Sequence, residues 1–436
     1  MTIRFSNIDT FVKSLEFLTF NKRGSEELTA NCCVLIQQIN YNTTVLTTHE
    51  PTRVVYRYYF LHTEEHSGGI EGASYLVEFD GFKKQLMNMK AAASNSITLQ
   101  MVRGTLKIIA DLTVNEGVRR QKGNLSSKLY AGPITDFAAQ EESKICYVEA
   151  DRTEFINFIS MLSDFGEFTG ESIEGNAVGR TIMFSLDPSA QTIEGLTNNK
   201  TACGYLKLKC IGVIDTSVVK EEIRFSIEGR YIKSLTKIAL GDTVKILFNE
   251  DRSWVTFTGD RGSLTLAVRE DNNSMIRDYT LFSNTSKIQT QSVRSCQLQE
   301  LVSAVTMQNI TDGLRADIAL VELAPYIIVF PGHDVTGTNK SYVSLDPFTA
   351  SGTWQPFLMS TSGITSLLKA LTSFFKRLGL FNNSIILTQK FIQRASGTKS
   401  WLLYISFEQV EVQHLLKSLI VCNDLTVNLD LVDTND

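Results

Sequence analysis

Polar and apolar positions follow a helical period in the stretch GRYIKSLTKIAL, residues 229–240. At about 100° per residue, an α-helix places Arg230, Lys233 and Lys237 within one arc of about 60°. Tyr231 and Leu235 fall on the opposite side of this helix. The pattern predicts an amphipathic helix with an apolar buried face and a cationic exposed face. For a single helix, a solvated surface face is the simplest interpretation.

The same order of elements recurs along the chain. A strand, a helix and then alternating strand-like segments are predicted within residues 75–120, 222–268 and 356–408, and turn residues separate the segments. Three more helical patterns lie between these units and begin at Asn7, Ala150 and Ser295. Helices therefore recur roughly every 70 residues, six times, which is the signature of a repeated β-α-β-β-β unit.

Two such units per domain predict an α+β chain of three similar domains, each a duplicated β-α-β-β-β unit. We expect a first domain over residues 1–145 and a second over 146–290 that includes a linker. The third domain is expected over 291–436, with a C-terminal extension beyond about residue 408. The stretch VNEGVRRQKGNLSSK, which contains Lys122 and Lys128, is expected to form a loop.

Cations concentrate on three of the predicted helices, at residues 81–93, 229–240 and 361–378, which contain no Asp or Glu. The nine predicted DNA-binding residues on them are Lys83, Lys84, Lys90, Arg230, Lys233, Lys237, Lys369, Lys376 and Arg377. Weaker candidates on the companion helices are Lys13, Arg152 and Arg294. Because the whole chain has a formal net charge of -5, this local positive charge favours a concave or annular surface for a polyanion such as duplex DNA.

Order, spacing and charge over about the first 408 residues resemble the bacterial DNA sliding clamp, the β subunit of the replicative polymerase. The resemblance implies three similar domains in a crescent and two crescents in a ring. Helices would line the hole and sheets would form the outside. It also implies non-specific binding of double-stranded DNA, a homodimer, and a DNA polymerase and a clamp loader as partners.

The resemblance further implies a pocket for a partner peptide between the second and third domains. TIEGLTNNKTACGYLKL, MIRDYTLF and WLLYISF resemble segments that flank this pocket in the family, although Arg277 replaces the family's proline before the Asp278-Tyr279 pair. WLLYISF would be the closing strand. The implied pocket residues are Thr197, Ala202, Leu281, Phe282, Tyr404 and Phe407.

Other candidate chemistry is sparse. HTEEH at residues 62–66 matches a zinc-protease pattern, but a strand-like segment precedes it and a turn follows, so an exposed hairpin loop is expected and no metal site. Phosphate-binding, nucleotide-binding and acyl-transfer motifs are missing, which predicts a protein without a cofactor that is not an enzyme. The seven cysteines include no CxxC and are expected to be reduced thiols.

The sequence therefore predicts a processivity factor, a sliding clamp that encircles duplex DNA and tethers a polymerase. The chain lacks an apolar run of 18 residues and a signal-peptide core, so we expect no membrane association and a cytoplasmic location in a bacterium or a phage-infected host. Length beyond the family norm points to a phage. Two alternatives remain open: a β-rich structural protein of a virion or assembly, and a single-stranded nucleic-acid-binding protein.

Overall fold

The computed structural model describes most of the chain. It covers residues 2–18, 33–50, 54–61, 66–91, 94–102, 105–114, 117–129, 147–167, 181–198, 202–209, 220–236, 242–269, 288–312, 317–331, 340–377, 379, 384–393, 397, 399–407, 415–423 and 425–426.

The described chain contains six successive β-α-β-β-β repeats, as the sequence predicts. Repeat 1 comprises β1 (Thr2–Phe5), α1 (Ile8–Phe17), β2 (Cys33–Asn40), β3 (Thr43–Glu50) and β4 (Val54–Leu61), and the short β5 (His66–Gly68) follows it. Repeat 2 comprises β6 (Ser74–Glu78), α2 (Phe79–Ala91), β7 (Ser94–Val102), β8 (Thr105–Val114) and β9 (Gly117–Leu129). Repeat 3 comprises β10 (Tyr147–Asp151), α3 (Arg152–Glu167), β11 (Thr181–Asp187), β12 (Thr192–Asn198) and β13 (Ala202–Lys209).

The second half of the chain follows the same order. Repeat 4 comprises β14 (Ile223–Glu228), α4 (Ile232–Leu235), β15 (Thr243–Phe248), β16 (Trp254–Thr258) and β17 (Gly262–Ala267). Repeat 5 comprises β18 (Ile288–Gln297), α5 (Leu298–Asp312), β19 (Asp317–Leu323), β20 (Tyr326–Pro331) and β21 (Ser341–Ser344), with β22 (Ser351–Gly352) after it. Repeat 6 comprises β23 (Phe357–Ser360), α6 (Thr361–Arg377), β24 (Ser384–Gln393), β25 (Lys399–Phe407) and β26 (Leu415–Asn423), with β27 (Leu425–Thr426) after it.

Local sequence explains where the first helix begins. The side chain of Asn7 caps α1 by accepting hydrogen bonds from the backbone N–H groups of Asp9 (2.8 Å) and Thr10 (3.2 Å). Phe11 and Leu15 recur at helical spacing on this helix and are fully buried. The helix is thus specified at its start by the cap and along its length by the apolar face.

Two of the expectations about individual elements are wrong. VNEGVRRQKGNLSSK is not a loop, because residues 117–129 form β9, which pairs with β8 over residues 117–126. The repeat pattern also does not end near residue 408. β26 lies between β25 and β13 and is the last strand of repeat 6, the third after its helix. Neither segment alternates cleanly between polar and apolar positions, and this hides both strands from a periodicity argument.

Repeats 1 and 2, repeats 3 and 4, and repeats 5 and 6 form three pairs. The two repeats of a pair exchange the strand that precedes the helix. β1 pairs with β7 of repeat 2, whereas β6 of repeat 2 pairs with β2 of repeat 1. In the second pair, β10 joins β15 and β14 joins β11. In the third pair, β18 joins β24 and β23 joins β19. The first strand of each repeat therefore pairs with a strand of the other repeat of its pair.

The last strand of each repeat is here called the third strand, because it is the third after the helix. Third strands also join different pairs of repeats. β4 pairs with β17, which makes a sheet of 13 strands, and β13 pairs with β26, which makes a sheet of nine strands. The remaining five-stranded sheet has the order β21-β20-β19-β23-β27. The chain divides into two compact units along these sheets, residues 1–152, 212–218 and 233–268 in the first and residues 153–211, 219–232 and 269–436 in the second. The three predicted domain boundaries stay a prediction.

The first unit has an aromatic core. Phe11 of α1 stacks on Phe60 of β4, with 5.4 Å between ring centroids, and meets Phe82 of α2 edge-on at 6.0 Å. Phe5 of β1 lies 4.5 Å from Phe11. These fully buried rings join both helices to the sheet.

The core of the second unit includes a close approach of helix and strand. Phe184 of β11 stacks on Phe225 of β14 at 5.2 Å and lies 6.3 Å from Phe158 of α3. A Cβ atom at Gly195 of β12 would lie 2.5 Å from Cδ1 of Leu162 and 2.9 Å from Cζ of Phe158. Only glycine lets α3 pack this closely on the sheet.

Candidate nucleic-acid interface

Helix α2 carries the first group of predicted DNA-binding cations. Its buried residues are Phe79, Phe82, Leu86 and Met89. On the remaining surface, Lys84 and Lys90 are exposed, and half-buried Lys83 places its ammonium 5.9 Å from the ring centroid of Phe79. The Nζ atom of Lys90 also forms an ion pair with Oδ1 of Asp9 on α1, at 3.0 Å. The structure thus places all three lysines on one amphipathic helix.

Helix α6 separates its faces in the same way. Ile364, Leu368, Leu371 and Phe375 are buried. Lys369 and Lys376 are exposed, seven residues apart and therefore two turns along the same side. Arg377 is the last residue of the helix, and its side chain lies outside the described part of the structure.

Repeat 4 departs from the predicted helix over residues 229–240. A 3₁₀ turn at Gly229–Tyr231 leads into α4, which has only four residues. Tyr231 and Leu235 are buried, as the pattern predicts. Arg230 lies in the 3₁₀ turn and Lys233 in α4, but the side chains of both lie outside the described residues, as does the whole of Lys237. The charged face of this repeat stays a prediction.

The companion helices contribute less positive charge. Lys13 is exposed on α1, between the exposed acids Asp9 and Glu16. Arg152 is the half-exposed first residue of α3, and α5 carries no Lys or Arg at all. Cationic helices therefore belong mainly to the even-numbered repeats.

The expectation that Arg294 is a helical DNA contact is wrong. Arg294 lies in β18, and only 4% of the residue is exposed. Its guanidinium donates to both carboxylate oxygens of Glu322 and to the backbone carbonyls of Val293, Ser351 and Gly352. A guanidinium with this full set of acceptors ties β18, β19 and β22 together and has no exposed surface for phosphate.

The predicted pocket residues do not share one surface. Ala202 begins β13 and Phe407 ends β25, and the side chains of both lie outside the described residues. By strand register, Thr197 lies on the face of the nine-stranded sheet that holds Gly195 and packs on α3. Tyr404 lies on the opposite face, where its ring is 1% exposed and Nζ of Lys390 lies 4.3 Å from its centroid. Leu281 and Phe282 lie outside the described residues. The predicted pocket therefore stays a prediction.

The described residues also show where other candidate chemistry of the sequence lies. They include no group of three or more His, Cys, Asp or Glu side chains placed to hold a metal ion. HTEEH falls between β4 and β5, and its residues 62–65 lie outside the described part. Burial, together with the nearby charge of Glu300, raises the pKa of the Cys296 thiol to about 12. In the described part, every helix is too short or too polar to cross a membrane.

Large apolar side chains are exposed at a few places. In repeat 5, Tyr326 of β20 is 42% exposed and Tyr342 of β21 is 51% exposed. Their rings meet edge-on with 6.0 Å between centroids. Sequence reasoning missed this pair, because the two residues are 16 positions apart and only the pairing of β20 with β21 brings them together.

Comparisons with known proteins agree with this architecture. No protein-family model matches the chain, and no curated protein matches it in sequence. In three dimensions, the chain is similar to the DNA polymerase III β chain of Streptococcus pneumoniae, with 12% identity, a TM-score of 0.68, and coverage of 98% of this chain and 100% of that one. The DNA polymerase sliding clamp of Bacillus subtilis gives 11% identity and a TM-score of 0.67, with the same coverage.

The DNA polymerase III β subunit of Pseudomonas aeruginosa is also similar, with 12% identity, a TM-score of 0.67, and coverage of 98% of this chain and 100% of that chain. The coverage includes nearly the whole of each chain, so all six repeats take part in the likeness. The predicted fold is confirmed: this chain has the sliding-clamp fold, an α+β architecture of duplicated β-α-β-β-β units.

Proposed function

We propose that this chain is a sliding clamp, a processivity factor that encircles duplex DNA and tethers a polymerase without catalysing a reaction itself. A closed ring stays on DNA by topology, so it needs only weak attraction to phosphates and no contacts to bases. The sliding-clamp fold and the exposed lysines of α2 and α6 support this function. The pairing of the third strands is the observation that supports the proposal most strongly, because it predicts which strands join when two copies close a ring.

Third strands pair according to one rule. The third strand of repeat 1 pairs with that of repeat 4, and the third strand of repeat 3 pairs with that of repeat 6. Two third strands remain, β9 of repeat 2 and β21 of repeat 5. Among the described residues, β21 pairs only with β20, and β9 pairs with β8 and, through its last three residues, with β6. The rule is satisfied if β9 of one copy pairs with β21 of a second copy.

A twelve-repeat ring of two copies follows from this pairing, since each copy supplies one β9 and one β21. The free edge of β21 has the geometry for it. The backbone N–H of Ser344 donates to Oε2 of Glu300 at 2.8 Å rather than to β20. Because amide directions alternate along a strand, the N–H of Tyr342 also points away from β20. That N–H is therefore placed to extend the sheet with a partner strand.

DNA contact is proposed at the nine cations of the even-numbered repeats. Lys84, Lys369 and Lys376 are exposed and carry the most weight. The remaining proposed contacts are Lys83, Lys90, Arg230, Lys233, Lys237 and Arg377. An acidic chain with basic helices concentrates its attraction for phosphate on the helical side of its sheets.

Protein partners are proposed from the same likeness. A DNA polymerase would be tethered by the ring, and a clamp loader would open it, both in the cytoplasm of a bacterium or of a phage-infected host. The apolar pair Leu281 and Phe282 is proposed to anchor a partner peptide. The other proposed pocket residues are Thr197, Ala202, Tyr404 and Phe407, and strand register places Tyr404 on the opposite face of the sheet from Thr197.

Light scattering tests the closure. We expect a mass of twice the 48.7 kDa of one chain at micromolar concentration. Tyr342→Pro removes an outward N–H but no hydrogen bond to β20, so it should shift the protein to monomer, whereas Tyr342→Thr keeps the N–H and should retain more dimer. A stable trimer, or a wild-type monomer at this concentration, would refute the dimeric ring.

A further inference from the structure

The ion pair between Asp9 and Lys90 joins the exposed ends of two helices. Asp9 lies in the first turn of α1 and Lys90 in the last turn of α2. Their side chains are 60% and 41% exposed, and Nζ lies 3.0 Å from Oδ1. Each charge also sits at the end of its own helix where the helix dipole stabilises it. The pair is thus accessible to solvent and to any ligand that approaches α2.

The two helices hold this pair in place. Phe11 of α1 meets Phe82 of α2 edge-on at 6.0 Å, and both rings are fully buried. Phe11 lies two residues after Asp9, so this aromatic contact packs α1 on α2 close to the first turn of α1. The packing of the two helices places the carboxylate of Asp9 within reach of Lys90.

The charge balance of α1 differs from that of α2. The exposed side of α1 carries Asp9, Lys13 and Glu16, so its acids outnumber its one lysine. Helix α2 carries three lysines and one acid, Asp80. Asp9 reaches from the first of these helices to a cation of the second.

We propose that Asp9 competes with DNA phosphate for Lys90 and so weakens the grip of repeats 1 and 2 on the duplex. A carboxylate and a phosphate oxygen both accept from the ammonium, and Lys90 contacts a phosphate fully only when it leaves Asp9. Asp9 is a positioning residue in this account, since it acts through Lys90. The proposal rests on the proposed function, because it requires duplex DNA next to α2.

The size of the effect follows from the exposure of the pair. Exposed ion pairs of this kind change an equilibrium constant by a factor of about 1.5 to 5. Removing the acid should therefore tighten DNA binding by about that factor. Because Lys90 would then bind a phosphate, the log-log dependence of affinity on salt should also become steeper by up to about 0.9.

Equilibrium binding to a short, open-ended linear duplex over a series of salt concentrations tests this inference. The variants are Asp9→Asn, Lys90→Gln, the double variant, and Glu16→Gln as the matched control. Glu16 lies seven residues from Asp9, so its replacement removes the same charge from the same side of α1. Because Asn7 still caps the helix in every variant, all of them should fold, and Asp9→Ser serves as a second replacement for Asp9.

We expect Asp9→Asn to bind about 1.5- to 5-fold more tightly than Glu16→Gln and to show the steeper salt slope. In the Lys90→Gln background, Asp9→Asn should increase affinity no more than Glu16→Gln does. Equal increases for Asp9→Asn and Glu16→Gln, or an increase that persists without Lys90, would overturn the inference. Loss of the proposed function is a separate outcome, seen as failure of the wild-type protein to stay on a duplex with blocked ends.

Discussion

Arg294 offers a direct test of how the structure reassigns a residue that the sequence suggested for DNA binding. Replacing it with Met keeps the apolar stem but removes the guanidinium. The change deletes two charge-assisted hydrogen bonds to Glu322 and three hydrogen bonds to the carbonyls of Val293, Ser351 and Gly352. It also leaves the carboxylate of Glu322, 22% exposed, without this partner.

The expected loss of stability follows from these contacts. Breaking a buried ion pair by removing one partner costs about 3–5 kcal/mol. We expect the lower end, about 3 kcal/mol, because water reaches the partly exposed Glu322 and replaces some of the lost bonds. With a denaturant dependence of about 3 kcal/mol per molar urea, the unfolding midpoint would fall by about 1 M. Trp354, which is 5% exposed and follows β22 by two residues, is a local fluorescence reporter.

Matched variants separate charge from packing. Glu322→Leu combined with Arg294→Met removes both charges and should recover part of the lost stability, since an apolar pair needs no hydrogen bonds. DNA binding of the folded Arg294→Met protein should equal that of the wild type. The reasoning would be refuted by an unchanged urea midpoint together with weakened DNA binding, because Arg294 would then act on DNA and not in the sheet.

Three further predictions are independent of this one. Gly195→Ala should lower the free energy of unfolding by about 1–3 kcal/mol in urea titrations, because its Cβ would lie 2.5 Å from Cδ1 of Leu162; wild-type stability would contradict the close approach. The raised pKa of Cys296 means that its contribution to stability is complete below about pH 8.5 and is lost as the pH rises towards 12. Cys296→Ala should therefore flatten the alkaline decline in the urea midpoint, and an identical decline would contradict it. Lys369→Glu with Lys376→Glu should reduce the affinity for duplex DNA and the dependence of that affinity on salt. The control Lys209→Glu with Lys220→Glu changes exposed lysines outside the helices and should reduce both quantities less; equal reductions would contradict the prediction.

Periodicity predicted the order of elements because helices and strands leave local patterns. The apolar spacing of α1 and α6 and the alternation of β24 are visible in the sequence, and the six repeats follow from them. Periodicity did not predict β26, because this strand is a nearly continuous apolar run that lies between two other strands. It also placed Gly229–Tyr231 in an α-helix, because a 3.6-residue pattern does not reveal that these residues form a 3₁₀ turn.

Long-range pairing left no local pattern to find. The exchange of β1 and β6, and the joining of β13 to β26, bring together residues about 40 to 220 positions apart, which only tertiary structure determines. The same limit explains the site residues. Lys84 and Lys376 are exposed as predicted, but the position of Tyr404 on the far face from Thr197 depends on register, and the pairing of Arg294 with Glu322 depends on β18 meeting β19.

The central claim is that two copies form a closed ring around duplex DNA, and topology tests it most directly. A linear duplex with biotin at both ends is incubated with the protein, and streptavidin then blocks the ends. We expect the protein to stay on the blocked duplex through a high-salt wash and to leave when a restriction enzyme cuts the DNA between the ends, because only topology holds it. Release from the blocked duplex as fast as from an open one, or retention after the cut, would contradict the ring.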